Sequence, residues 1–114
     1  MARIKGKILI LKGKSGTPYT FELYTLDSNF EKDSAVYIFT RRYQHDEENV
    51  KHDKIYIGQT KDISQRFDNH HKADCIDKHK ANCIGIHWCD ESDLEEIERD
   101  LLLNHKTKCN ELLN

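Results

Sequence analysis

The chain has 114 residues, 37% of them apolar and 33% charged, with a single proline; this fits one globular domain that buries roughly two thirds of its unfolded surface, and excludes a second core. A formal net charge of −2 excludes a uniformly basic protein that grips phosphate over its whole surface. The longest apolar run, Ile8 to Leu11, is far short of the roughly 18 residues of a membrane span, and no signal-like segment opens the chain, so an intracellular, cytoplasmic protein with no membrane partner is expected.

In chain order, Ile8 to Leu11 and Tyr19 to Leu23 are β-prone stretches around Lys12-Gly13-Lys14-Ser15-Gly16-Thr17-Pro18, which reads as a hairpin with a Gly-rich turn. A polar connector with a lone Phe30 follows. Ala35 to Thr40 and Lys54 to Gly58 look like a second pair of strands, separated by a charged loop from His45 to Asp53. Period-two alternation sets Tyr37 opposite Val36 and Ile38, and Tyr56 opposite Ile55 and Ile57, so two tyrosines on neighbouring strands can share a face.

Asp62 and Gln65 stand at capping-box-like spacing, and Ile63, Arg66, Phe67 and His70 follow at i, i+3, i+4, i+7, predicting a helix whose inner face carries an arginine and a histidine. Cys83 to Cys89 alternates again and makes a further strand. Ser92 and Glu95 form a capping box before a helix whose apolar face is Leu94, Ile97, Leu101 and Leu102. At about 100° per residue, Glu98 projects some 40° from the centre of that face. Among the acids of this helix it is the one aimed at the protein.

Charge is unevenly distributed. Arg3, Lys5, Lys7, Lys12 and Lys14 stand in the first twenty residues without an acid, whereas Glu91 to Asp100 holds six acids against Arg99. Cys75, Cys83, Cys89 and Cys109 contain no C-x-x-C pair, which favours reduced, partly buried thiols; Cys75 with His79 at i, i+4 keeps a metal alternative open.

Ala35-Val36-Tyr37 followed by Tyr56-Ile57-Gly58 resembles the two signature strands of the GIY-YIG nuclease family. Arg66, ten residues after Tyr56, matches the family's arginine, His70 the histidine one turn later, Glu98 the metal-binding glutamate and Asn110 the asparagine beyond that helix. The likeness covers residues 35 to 110. Ala35 replaces the first glycine of the signature, and the segment between the tyrosines is longer than is usual there. The resemblance implies an α+β fold: a small antiparallel three-stranded sheet flanked by helices over residues 35–114, with residues 1–34 added as a hairpin and connector.

The same resemblance implies a metal-dependent endonuclease that hydrolyses phosphodiesters, most simply in DNA. Its site residues would be Tyr37, Tyr56, Arg66, His70, Glu98 and Asn110, with one Mg²⁺ or Mn²⁺ held by Glu98. A lone carboxylate completed by waters and phosphate oxygen is a normal magnesium arrangement. Arg66 offers a fork of donors for the scissile phosphate. By the resemblance Tyr37 is the general base, with His70 holding it or accepting its proton, while Asn110 pins the chain end. Lys5, Lys7, Lys12 and Lys14, with Lys72, Lys78 and Lys80, could follow a phosphate backbone. An RNA-directed nuclease and a catalytically silent module that binds nucleic acid or protein stay open. Convergence of the site residues on one surface is the structural test.

Overall fold

The computed structural model describes residues 3–44, 46, 49–65 and 72–110, and for residues 3–6 the backbone alone. Five strands form: β1 (Arg3–Lys12), β2 (Pro18–Tyr24), β3 (Ala35–Gln44), β4 (Val50–Thr60) and β5 (Cys83–Trp88). Among the described residues the helices are α1 (Ala73–Lys78) and α2 (Leu94–Asn104), the latter entered through a 3₁₀ turn at Glu91–Asp93. None is long and apolar enough to cross a membrane.

The expected three-stranded sheet with a separate hairpin is not what forms. All five strands make a single curled antiparallel sheet in the order β1-β2-β5-β3-β4. The hairpin joins it because β2 pairs with β5 through Glu22↔Ile86, Leu23↔Gly85 and Tyr24↔Ile84. Three strands alone would leave the outer rim of β5 as a row of unpaired peptide groups, and β2 satisfies them. The layer of flanking helices is correspondingly thin. The helix expected from Asp62 onward opens as a turn and bend at residues 63–65, and its remainder, including Arg66 and His70, lies outside the described residues.

Strand β3 lies between β5 and β4. Ala35 to Thr40 are all buried, as befits a strand covered on both faces. One face carries Val36, Ile38 and Ile57 against Leu94 and Leu101 of α2, with Leu11 and Phe21 from the hairpin. The opposite face carries Tyr37, Phe39, Tyr56, Ile84 and Ile86, covered by Ile63, Ile76 of α1 and Cys109. The apolar phase expected for the last helix is therefore the observed one, while its capping box is not: the N-cap is Asp93, with no side-chain cap.

The expected charged loop is shorter than its sequence suggests, because β3 and β4 pair outward as far as Gln44↔Val50. A bulge between Phe39 and Thr40 leaves Ile55 extra, since Phe39 faces Tyr56 and Thr40 faces Lys54. Ile55 thus packs on the same side as Tyr56 rather than opposite it.

Candidate active site

Three of the expected site residues lie near one another at β3 and β4: Tyr37 and Tyr56 on the face opposite α2, and Glu98 on α2, within electrostatic reach of both. Tyr37 pairs with Gly58 across the strands, and its ring leans over that glycine. A Cβ at position 58 would lie 2.6 Å from the Tyr37 hydroxyl oxygen and 2.7 Å from Tyr56 Cε2. Only a residue without a side chain lets both phenols occupy this space. The two rings are tilted at 42° with centroids 6.1 Å apart, and Phe39 packs edge-on to Tyr37 at 5.8 Å.

Glu98 approaches from α2, half-buried, and its Oε1 accepts a long hydrogen bond of 3.4 Å from Gln59 Nε2. Burial pushes its pKa up, with Glu95 adding to the rise and Gln59 opposing it. No described cation offsets that cost. Tyr37 is held well above the ordinary phenol value, chiefly by burial, then by the charges of Tyr56 and Glu98 and a hydrogen bond with Tyr56. Burial and Glu98 raise Tyr56 as well, while the same hydrogen bond lowers it. The described surroundings therefore keep both hydroxyls protonated at neutral pH, opposite to the acidification a catalytic base needs.

Asn110 reaches the site indirectly. After α2 the chain runs beside β4: Lys108 N donates to the Lys54 carbonyl at 3.4 Å and Cys109 N to that of Ile55 at 2.8 Å. The Asn110 amide then takes the part of a peptide group. Its Oδ1 accepts from Ile57 N and its Nδ2 donates to Ile57 O, both at 2.8 Å. The residue so clamped lies between Tyr56 and Gly58.

The expected lysines do not form one track. Lys12 and Lys14 lie at the hairpin turn, whereas Lys72, Lys78 and Lys80 flank α1 on the other face; all are exposed except Lys72, as is Lys7, and the Lys5 side chain lies outside the described residues. A different basic group gathers behind the turn. Lys54 Nζ lies 3.2 Å from His105 Nδ1, and His105 Nε2 lies 2.7 Å from the Lys12 carbonyl. The imidazole therefore donates through Nε2 and accepts the Lys54 ammonium at Nδ1, which fixes the neutral tautomer. Burial, with Lys54 assisting, holds its pKa below the usual histidine value. Lys106 and Lys108 follow on the exposed surface.

Two features escaped the sequence. Asp100 anchors the hairpin turn to α2: its carboxylate accepts from Ser15 N at 2.9 Å, from Ser15 Oγ at 2.6 Å and from Tyr19 Oη at 2.7 Å. Gly13 passes so close that a Cβ there would lie 2.0 Å from Asp100 Oδ2. The other is a disulfide between Cys75 and Cys109, which corrects the expectation of four reduced thiols; Cys83 and Cys89 are free. Asp100 flanks the apolar stripe beside Ile97, a hint in hindsight, while a pair 34 residues apart leaves no local signature.

A cavity of about 410 Å³ lies between the 26–30 connector, Ile63 to Gln65 and α1, with Phe39 in its wall. Neither tyrosine lines it, so it neighbours the site without containing it. No protein-family profile, curated protein or solved structure matches the chain.

Proposed function

We propose that the protein is a metal-dependent endonuclease of the GIY-YIG type, acting on DNA. The observation that supports the reading is the stacking of Tyr37 and Tyr56 over Gly58 with Glu98 near enough for its charge to act on both phenols. A half-buried carboxylate without a described cation, within electrostatic reach of two phenols, is an unfavourable arrangement for stability alone. It suits a hard divalent cation held by one carboxylate, so the donor set fits Mg²⁺ or Mn²⁺.

When bound, that ion would polarise a phosphoryl oxygen and offset developing charge. The remaining work falls to the chain. Arg66 would hold the scissile phosphate through paired N–H donors, Tyr37 would orient the attacking water by hydrogen bonding, and His70 would take the proton the phenol relays. Water oxygen bonds to phosphorus as the ester oxygen leaves, and a solvent proton completes the leaving hydroxyl. Asn110 keeps β4, and with it Tyr56 and Gly58, in register. Lys12, Lys54, Lys106 and Lys108 would neutralise phosphates flanking the cut.

The test is to incubate the purified protein with supercoiled plasmid, branched DNA and RNA, with Mg²⁺, Mn²⁺ or chelator. Cation-dependent cleavage by wild type, reduced about 10²-fold or more in Glu98→Ala and Arg66→Ala, is the expected result. Equal cutting by the variants would sink the reading. The net charge of −2 favours one competitor, a silent binding module on the same fold, which would leave every substrate intact while still retarding DNA. Cleavage confined to the RNA arm would reassign the substrate.

A further inference from the structure

On the face away from α2 lies a group of soft ligands that phosphodiester hydrolysis does not use. Cys75 is in α1 and His79 is that helix's C-cap, one turn later, so both project from one side. Cys109 arrives from the segment beside β4. The two sulfurs and a ring nitrogen of His79 all lie within 4.8 Å of one another, with Cys109 buried and the other two half-buried. Zinc bonds of about 2.3 Å to sulfur and 2.0–2.1 Å to nitrogen place tetrahedral ligand atoms roughly 3.5–3.8 Å apart. Opening the disulfide would bring the three into that range through rotation of short side chains. A disulfide by itself has no use for the imidazole.

We propose that Cys75, His79 and Cys109 form a redox-gated zinc site. With the cysteines reduced, two thiolates and the imidazole bind one Zn²⁺, with water in the fourth position; with the disulfide closed, the ion is excluded. The chemistry balances. A dithiol reductant gives two electrons and two protons to the S–S bond and becomes a disulfide itself, after which Zn²⁺ displaces both thiol protons. In the reverse direction a small-molecule disulfide takes the two electrons from the thiolates, departs as two thiols after gaining two protons from solvent, and leaves the ion free.

Both states tie α1 to the segment that carries Asn110, so either preserves the clamp on Ile57. The reduced, metal-free state lacks that tie. The site stands whether or not the protein is a nuclease.

The full chain, reduced with a phosphine that is then removed by anaerobic desalting, is titrated anaerobically with Co²⁺ and separately with Zn²⁺. Expected are one ion per chain, a thiolate-to-cobalt charge-transfer band, loss of that band in Cys109→Ser, and weakening of affinity by about tenfold or more in His79→Ala. The oxidised protein takes up none, and Cys83→Ser with Cys89→Ser leaves binding unchanged. Failure of the reduced protein to take up either ion overturns the proposal. So does wild-type affinity in His79→Ala, a variant that keeps the disulfide and therefore reports even if Cys109→Ser does not fold.

Discussion

At Gly58 the space above the peptide is already occupied by Tyr37 and Tyr56, and both rings are packed into the core. Gly58→Ala is therefore expected to cost about 1–3 kcal/mol, the range of overpacking in a rigid interior, measured by denaturant unfolding, and to abolish cleavage. Glu98 behaves in the opposite sense. Its pKa is raised on folding, so the folded state prefers it protonated and its ionisation costs stability above that raised value. Glu98→Gln should accordingly melt higher than wild type at neutral pH without metal, and lose the rise in melting temperature that Mg²⁺ or Mn²⁺ gives wild type. A lower melting temperature in the variant would make Glu98 structural. Because Tyr37 is also held protonated, it works as a relay without ionising, so cleavage should not climb by about tenfold per pH unit between pH 8 and pH 9. Such a climb in wild type, lost in Tyr37→Phe, would make the phenolate the base and overturn the relay.

Among the elements, the hairpin turn is held to the last helix by several side chains, of which Asp100 makes the most hydrogen bonds. Asp100 gathers Ser15 and Tyr19 onto α2, and these hydrogen bonds hold its pKa below the usual carboxylate value. Their contribution is complete above about pH 4 and is lost as pH falls through the depressed folded-state value. Asp100→Ala should cost about 1–2 kcal/mol at neutral pH and flatten the acid limb of the stability profile, followed by thermal unfolding between pH 2 and 7. Local pattern made much of this architecture legible. Alternation marked β3 and placed Tyr37 opposite Val36, and the 3.6-residue period of α2 singled out Glu98. It did not show that β2 would seek β5, because pairing partners sixty residues apart leave no period to read. Nor could it place Ile55, since one extra residue in β4 reverses the face of everything before it. The Asp100 clamp and the Cys75–Cys109 bridge depend on distances that exist only once the sheet has closed.

For the molecule as a whole, the disulfide links residues 34 apart in sequence. In the chain-entropy account such a closure is worth on the order of 4 kcal/mol, so reduction with chelator present should lower the melting temperature by well over ten degrees for a domain of this size. An unchanged melt would mean the link is dispensable. Exposed Lys106 and Lys108 follow His105, which meets the Lys54 ammonium, despite the acidic net charge. Replacing Lys106 and Lys108 together by alanine should weaken duplex binding and shrink the salt slope of log K by about 1–2, measured by fluorescence anisotropy. One last consequence comes from the rims of the sheet. The segment through Asn110 covers β4 from Lys54 to Ile57, whereas no described strand pairs with the outer side of β1. Among the described residues β1 therefore offers a rim to which a second copy could add its own β1, and that antiparallel pairing would bury both rims in one closed, two-fold pair.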